Sequence, residues 1–458
     1  MKIFIAHILC MGIIRRSNVT KYWSRGSISN IPFFGKYMSK NAFLLLLSNL
    51  HINDNDLEPR RGGRFFDPLW KLRPFVDLCS DKFKSVYKPS CNLAFDEGGC
   101  PWKGRLSFRV YNPKKPNKFN IKLFIVSESE TGYICGFDVY CGKVNRFCCS
   151  RSAHVIDPLC TKTTKIVVGL LERTNLLDKG YHVYMDNYYT SPELLHELYL
   201  RSTFCCGTVR KNRKGLPNAV NKAGLHKGEG VFRRNGPVLA IRWCDKRAVY
   251  MLTTIHDASM VEVRKYGEPD NKMWKPRCIQ EYISNMRAVD VGDQMMSYNC
   301  FVRRSLKWWR KLFIHFINMV LLNSYILHKK YSRNKLSNEE FRESVVRSLI
   351  EEGLETCSWS LPAIVSNKHD NPSRLTERHF PEFIPCALGA KREKPSRPCF
   401  ICSHLPMVEG QKVAKKWTSY WCAECKRPLC INFCFKTYHT VSDYKSAAFE
   451  YRLRNAHV

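Results

Sequence analysis

The chain has 458 residues, enough for a large core and two or three domains. Its 74 lysines and arginines outnumber its 40 aspartates and glutamates, and the formal net charge of +34 indicates an anionic partner, most often nucleic acid. A charge that serves only solubility is the alternative, which the interleaving of basic clusters with aromatic residues disfavours. Most of the 22 cysteines are scattered along the chain, and this disfavours a secreted disulfide framework.

The N-terminal region is predicted to be helical. The apolar run from Met1 to Ile14 mimics a secretory signal, which is the alternative interpretation. However, His7 interrupts the run, two arginines close it and no small-residue cleavage site follows, so we predict a buried helix. Further helices are predicted at residues 41–50 and 70–87, with a charged surface loop between them.

Two acidic stretches follow, and we interpret them differently. Asp96 and Glu97 are followed directly by glycines, which predicts a turn, so we leave them out of the site. Residues 121–128 predict an apolar strand that ends in Glu128, with residues 134–140 as its hairpin partner. Glu128 is therefore a candidate site residue.

Asp186 follows a second apolar strand, residues 183–185. Ser191 and Pro192 then provide an N-cap and a first helical residue for the next helix. The carboxyl end of a strand is where open α/β sheets bind ligands. An aspartate there either caps the loop or belongs to an active site.

Asp290 and Asp293 lie three residues apart in a helical run, so they share one face. With Glu128 and Asp186 they supply acids from separate elements, and such a set can hold two Mg²⁺ or Mn²⁺ ions for phosphodiester cleavage and strand transfer. The interval between Asp186 and Asp290 is too long for one strand and one helix, so we predict an inserted domain. Residues 238–255 predict a β-hairpin within it.

Three basic clusters are candidates for contact with DNA phosphates. A plain solvated loop is the alternative for the first cluster. Their residues are Lys114 and Lys115, then Arg210, Lys211, Arg213 and Lys214, and finally Arg303 and Arg304.

The apolar run at residues 312–327 predicts a buried helix. It is too short for a membrane span and contains His315, Asn318 and Asn323, so we expect no membrane association. Another helix is predicted at residues 337–352, and a polar linker follows it.

Six cysteines and a histidine near the C-terminus have the spacing of zinc ligands. They are Cys399, Cys402, Cys422, Cys425, Cys430, Cys434 and His439. Pairs two residues apart place thiolates on tight knuckles suited to tetrahedral Zn²⁺, and a disulfide module is the alternative. Two ions need eight ligands, so either His404 or His457 is the eighth or only one site is filled.

Five stretches together resemble the piggyBac transposases and their host-retained relatives, the piggyBac transposable element-derived proteins. The resemblance extends from about Tyr22 to His439 and is strongest at residues 95–97, 103–116, 185–191, 207–217 and 289–295. It implies an α/β fold with a ribonuclease-H-like core that performs cut-and-paste transposition of double-stranded DNA at TTAA sites. It also implies a homodimer located in the nucleus, without a small-molecule substrate, in which the cysteine-rich domain binds transposon ends.

By this resemblance the family's catalytic acids fall on Glu128, Asp186, Asp290 and Asp293, with Glu128 in place of an aspartate. Magnesium tolerates little geometric slack, so we expect weak or no cleavage, and a gain on Glu128→Asp if the missing N-terminal part is also restored. The start of the chain also resembles a truncated N-terminal region. A catalytically inactive DNA-binding or chromatin protein derived from a transposase is the alternative function.

We therefore expect six segments. They are a helical DNA-binding and dimerisation region at 1–117, the core at 118–210 and 281–335, the inserted domain at 211–280, a helix and linker at 336–398, and the zinc-binding domain at 399–440.

Overall fold

The computed structural model separates the chain into two units, Met1–Thr356 and Cys357–Val458. The structure describes residues 1–454 apart from 27, 61–62, 64–65, 114, 116, 143–158, 223, 266–267, 302–304, 356–371, 376–377, 387–393, 404–415 and 442.

The N-terminal region of the first unit is helical, as predicted. Its helices are α1 (Lys2–Ile13), α2 (Pro32–Tyr37), α3 (Lys40–Asn49) and α4 (Arg73–Val86), with 3₁₀ turns at Val19–Trp23 and Trp70–Leu72. The helix predicted to be buried is confirmed as α1, in which even His7 is fully buried. Its ring nitrogens lie 2.8 and 3.2 Å from the carbonyl oxygens of Ile3 and Phe34, so the polar side chain is accommodated inside the core.

A mixed sheet of nine strands forms the centre of the first unit. The strands are β1 (Asn92–Pro101), β2 (Arg109–Tyr111), β3 (Phe119–Glu128), β4 (Ile134–Val139), β5 (His182–Met185), β6 (Phe204–Thr208), β7 (Gly230–Asn235), β8 (Val238–Cys244) and β9 (Ala248–Thr253). Their order is β2-β3-β1-β5-β6-β9-β8-β7, and β4 also pairs with β3. The strands β1, β5 and β6 are parallel, whereas β3 runs antiparallel to β1.

The predicted β-hairpin is confirmed by the antiparallel pairing of β8 with β9. Because β9 also pairs with β6, these strands extend the main sheet and do not form a sheet of their own. A separate two-stranded ribbon follows, made of β10 (Met260–Lys265) and β11 (Glu268–Pro276).

Helices cover the sheet between and after its strands. They are α5 (Lys162–Arg173), α6 (Pro192–Tyr199), α7 (Asn218–Lys222), α8 (Arg277–Asn285), α9 (Ala288–Tyr298), α10 (Trp308–Tyr331) and α11 (Asn338–Glu355). The predicted start of α6 is confirmed, since the Ser191 hydroxyl accepts a hydrogen bond from the Leu194 amide and Pro192 opens the helix. Within the described residues, no helix is both long and apolar enough to cross a membrane.

One polar side chain fastens α10 to the sheet. The amide group of Asn323 accepts from the Ile134 backbone N–H (2.8 Å) and donates to the Ile134 carbonyl (2.9 Å) at the start of β4. Asn323 is 3 % exposed, so these bonds are shielded from solvent.

We therefore expect Asn323→Leu to lower the free energy of unfolding by about 2–4 kcal/mol, because two buried backbone groups lose their partners. Urea denaturation followed by circular dichroism measures the change. Asn49→Leu on the exposed side of α3 is the control, and we expect it to change stability little. Equal stability of the two variants would contradict a structural role for Asn323.

The second unit contains short strands and two helices. They are β12 (Pro381–Phe383), β13 (Arg397–Pro398), β14 (Trp417–Thr418), β15 (Tyr420–Cys422), β16 (Arg427–Pro428), α12 (Cys434–Thr440) and α13 (Tyr444–Arg454), with a 3₁₀ turn at Pro372–Leu375. Its small core contains Cys399, Cys422 and Cys434 among a few apolar side chains. So small a core suggests that other bonds stabilise this unit.

Candidate functional sites

Acidic side chains from three elements converge near the middle of β1. In the parallel pair of β1 and β5, Phe95 lies opposite Met185, so the next residues, Asp96 and Asp186, lie side by side. Helix α9 packs across β1, and a Cβ atom added at Gly98 would lie 3.5 Å from Oδ1 of Asp293. Asp293 therefore lies next to Gly98, on the same face of β1 as Asp96.

The negative charges of these acids repel one another. Burial, together with the charges of Asp186, Asp290 and Glu97, raises the pKa of Asp96 to about 7. Burial and the neighbouring Asp290 raise the pKa of Asp293 to about 6. Burial, with Glu97 contributing, also raises the pKa of Asp186. Such a group of carboxylates is stabilised in its ionised form by a cation.

The donor atoms fit a hard divalent cation. Oδ1 of Asp293 is buried and has no hydrogen-bond partner among the described residues. Carboxylate oxygens are the ligands that Mg²⁺ prefers, and an unpaired buried oxygen is available for a metal ion. Asp96, Asp186, Asp290 and Asp293 are therefore the residues that could hold such an ion.

Glu128 does not lie with these acids, so its predicted grouping with them is wrong. It lies opposite Leu93 at the start of β1, three residues along the strand from Asp96, and is fully buried. Its carboxylate accepts hydrogen bonds from Tyr87 (2.8 Å), from the Ser90 amide (2.6 Å) and from the Thr131 hydroxyl. Although burial opposes it, these bonds hold the pKa of Glu128 below its ordinary value. In this arrangement Glu128 has a structural role, because its hydrogen bonds connect the end of β3 to the segment before β1.

The predicted turn at Asp96 and Glu97 is also wrong, because both lie inside β1. Of the two glycines after them, Gly98 packs closely against β3, since a Cβ at this position would lie 2.4 Å from Cδ1 of Ile125. A signal for this strand was present in the sequence. An apolar triplet precedes Asp96, just as one precedes Asp186.

Glu97 organises the other face of β1. Its carboxylate forms an ion pair with Lys122 and accepts a hydrogen bond from the Tyr189 hydroxyl (3.0 Å). Lys115 donates to the Glu97 carbonyl oxygen (3.1 Å), so at least one lysine predicted to contact phosphates is held beside the acids. Lys114 lies outside the described residues.

Two of the arginines predicted to contact DNA phosphates bind the segment that follows Asp186. Arg210 donates to the Asn187 side chain (3.1 Å), and Arg213 donates to the carbonyl oxygens of Asn187 (2.5 Å) and Tyr188 (3.0 Å). The Tyr188 amide in turn donates to Oδ1 of Asp186 (2.9 Å), so these bonds orient the aspartate.

The structure describes only two of the four remaining basic candidates. Lys211 and Lys214 are exposed beside the same segment. Arg303 and Arg304 lie outside the described residues.

The second unit contains two groups of four side chains that could each hold a metal ion. Cys399, Cys402, Cys430 and Cys434 form one group, and His379, Cys422, Cys425 and His439 form the other. Within each group the ligand atoms lie within 4.8 Å of one another. Hydrogen bonds involving Cys402 and Cys434 hold the pKa of Cys399 far below its ordinary value, which favours a thiolate.

His379 is the candidate ligand that the sequence analysis missed. All seven predicted ligands fall into the two groups, and His379 completes the second. His404 and His457, the residues proposed for this role, lie outside the described residues. No local spacing marks His379, because it is not part of a cysteine pair and lies a long interval before Cys399, the first of the predicted ligands.

The chain is similar to known proteins along most of its length. Residues 1–325 match the family described as transposase IS4. The human PiggyBac transposable element-derived protein 3 is 25% identical over 461 residues, which cover 96% of this chain and 70% of that protein. The human PiggyBac transposable element-derived protein 5 is 24% identical over 376 residues, covering 78% and 68%.

A solved structure shares the fold. The cryo-EM structure of a piggyBac transposase synaptic complex with hairpin DNA matches with a TM-score of 0.68 and 22% identity. The match covers 94% of this chain and 86% of the other.

Proposed function

Because the chain belongs to the transposase IS4 family, in its piggyBac-type branch, we propose that it cleaves and transfers DNA strands with Asp96, Asp186, Asp290 and Asp293. The convergence of these four acids on β1 carries the proposal. More broadly, the chain is a piggyBac-like transposase or a host-retained derivative of one.

The strand arrangement supports a ribonuclease-H-like core. In it, β4, β3 and β1 are antiparallel neighbours, and β5 and β6 continue the sheet parallel to β1. Two of the proposed acids come from neighbouring parallel strands, at the kind of position where α/β sheets bind ligands. In this proposal Asp96 is the first catalytic acid and Glu128 holds no metal ion. The glutamate at position 128 is then no reason to expect weak cleavage.

The surrounding residues have distinct roles in this proposal. When bound, Mg²⁺ or Mn²⁺ at the acids would activate the attacking oxygen and stabilise the leaving one. Arg210 and Arg213 keep Asp186 oriented, and the ion pair of Glu97 with Lys122 keeps the neighbouring face of β1 in place. Rigid support of this kind reduces the reorganisation needed at the moment of reaction.

We propose double-stranded DNA as the substrate, with TTAA as the target sequence. The net charge of +34 supports an electrostatic attraction to DNA, and the transposase in the matched solved structure is in complex with hairpin DNA. A homodimer and a nuclear location are part of the same proposal. For the second unit we propose Zn²⁺, since tetrahedral sets of four cysteines or of two cysteines and two histidines suit it.

The catalytic proposal is tested by incubating the full chain with a supercoiled plasmid that carries TTAA sites, with Mg²⁺ or Mn²⁺. We expect nicked circles that appear only with metal. DNA binding without nicking would favour the alternative, a DNA-binding derivative that has lost the chemistry.

We expect the affinity for duplex DNA to fall steeply with salt, because each neutralised phosphate releases condensed counterions. Lys211→Ala combined with Lys214→Ala should make the slope of log K against log salt shallower by about 2. Fluorescence anisotropy across a salt series measures it. Lys82→Ala on the exposed side of α4 is the control, and a slope near zero for the native chain would remove the DNA proposal.

A further inference from the structure

The helix that carries Asp290 and Asp293 ends against the N-terminal helix. Helix α9 runs to Tyr298, and Asn299 is its C-cap. A Cβ atom added at Gly12 of α1 would lie 2.3 Å from the carbonyl oxygen of Asn299. No side chain fits in this space, so glycine at this position lets the two backbones meet.

Arg15, just after α1, binds the last carbonyl groups of α9. Its Nη2 donates to the carbonyl oxygens of Ser297 (3.1 Å) and Tyr298. The last carbonyls of a helix have no partner within the helix and carry a partial negative charge, so a cation stabilises them. Helix α9 has no basic residue in its own last turn. Arg15 therefore supplies this charge from a distant part of the chain.

The backbone around Arg15 is fixed by Tyr22. The Tyr22 hydroxyl donates to the carbonyl oxygen of Ile14 (2.8 Å) and accepts from the amide of Arg16 (3.1 Å). Tyr22 is 3% exposed, so these bonds are shielded from solvent. Although the Arg15 side chain is exposed, both of its neighbours along the chain are held in place.

A second arginine holds the same end of α9 from the other side. Arg342 of α11 is buried and donates to the carbonyl oxygen of Asn299 (3.2 Å) and to the side chain of Asn318 on α10 (3.2 Å). Helix α11 also packs along α1. The end of α9 is thus enclosed by elements from both ends of the first unit.

The fixed end is close to the acids of α9. Asp293 lies about 9 Å along the helix axis from Asn299, at a rise of 1.5 Å per residue. A helix over this distance moves as one rigid element, so a shift of its end is a shift of its acids. Metal ligands have to be placed to within about 0.5 Å, and Mg²⁺ in particular requires a nearly ideal geometry.

We propose that Gly12 and Arg15 are positioning residues for the metal-binding acids. They set how far α9 reaches toward β1, and so they bring Asp290 and Asp293 to the distance from Asp96 at which one ion binds all of them. The inference rests on the proposed function of these acids. It adds the N-terminal helix to the parts of the chain on which metal binding depends.

The test measures Mn²⁺ binding to the full chain by electron paramagnetic resonance, which detects the free ion. Binding that Asp96→Asn removes is assigned to the acids. We expect Arg15→Ala to weaken this binding by about tenfold, the size of effect seen when supporting residues around a metal site are removed. Arg15→Lys keeps a cation at the helix end and should stay within about threefold of the native chain.

The direction of the change separates positioning from simple electrostatics. Loss of a positive charge alone would favour a cation at the acids and strengthen Mn²⁺ binding. Weaker binding by Arg15→Ala therefore requires displaced ligands. Nicking by this variant should be reduced at limiting Mn²⁺ and should recover at saturating Mn²⁺.

Gly12→Ala changes no charge and should weaken Mn²⁺ binding as well, because the added methyl group separates α1 from α9. Arg16→Ala, at the exposed neighbour of Arg15, is the matched control and should bind Mn²⁺ as the native chain does. Circular dichroism verifies that each variant is folded.

Native Mn²⁺ affinity in both Arg15→Ala and Gly12→Ala, or an equal loss in Arg16→Ala, would overturn the inference and leave the proposed function intact. A native chain without any Mn²⁺ binding that Asp96→Asn removes would instead overturn the proposed metal-dependent function, and this inference with it.

Discussion

Asp96→Asn is expected to reduce metal-dependent nicking of DNA by about a thousandfold or more, equivalent to about 4 kcal/mol of lost transition-state stabilisation. Asparagine keeps the shape of the side chain and removes the charge that a cation needs. Because Asp96 lies beside Asp186 and opposite α9, no other described carboxylate replaces it at this place on β1. Plasmid nicking at fixed Mg²⁺ or Mn²⁺ measures the loss.

The matched control is Glu128→Gln, which removes a carboxylate of the same sheet. We expect it to retain nicking per folded molecule and to lower the free energy of unfolding by about 1.5–3 kcal/mol, because charge-assisted hydrogen bonds from Tyr87, Ser90 and Thr131 are weakened. Full activity of Asp96→Asn together with inactivity of folded Glu128→Gln would restore Glu128 as the catalytic acid.

The pH dependence of stability provides a further check on Glu128. Its folded-state pKa is below the ordinary value of 4.5, so its stabilising contribution is present above that pH. The contribution is lost as the pH falls through the depressed pKa. As the pH falls through this range, the stability of Glu128→Gln should therefore decrease less than that of the native chain. Asp96→Asn should show the same decrease from Glu128 as the native chain does.

The second large effect concerns the two candidate metal-binding groups of the second unit. We expect the purified full chain to contain two metal ions and His379→Ala to contain one fewer, since the second group then has three ligands. Structural zinc contributes about 10–16 kcal/mol of apparent binding free energy, so its removal by a chelator should unfold this unit. Elemental analysis and native mass spectrometry count the ions, and circular dichroism follows unfolding.

His404→Ala is the control for this prediction, because His404 was the alternative eighth ligand. We expect it to keep both ions. Two ions in His379→Ala and one in His404→Ala would reverse the assignment. A native chain that keeps its folded spectrum in a strong chelator would exclude a structural metal.

Local patterns predicted the parts of this protein that depend on neighbours in sequence. The helix at residues 1–14, the hairpin at 238–255 and the strand before Asp186 follow from periodicity and cap residues, and all are present. Cysteine spacing likewise predicted seven ligands, which all lie in the two groups.

The missed residues depend on partners far along the chain. Asp96 is a candidate site residue only because β1 pairs with β5. The two glycines after Glu97 suggested a turn where the structure has a strand. His379 joins Cys422, Cys425 and His439 only after the second unit folds. Contacts between residues far apart in the chain do not produce a fixed residue spacing that a single sequence would reveal.

The alternation of side chains along β1 limits how this strand can vary. Asp96, Gly98 and Cys100 share the face toward α9, while Phe95 and Glu97 share the face toward Tyr189. Losing or gaining a single residue between Leu93 and Asp96 would exchange these faces. Related genes should therefore tolerate many substitutions in β1 but almost no insertions or deletions of one residue.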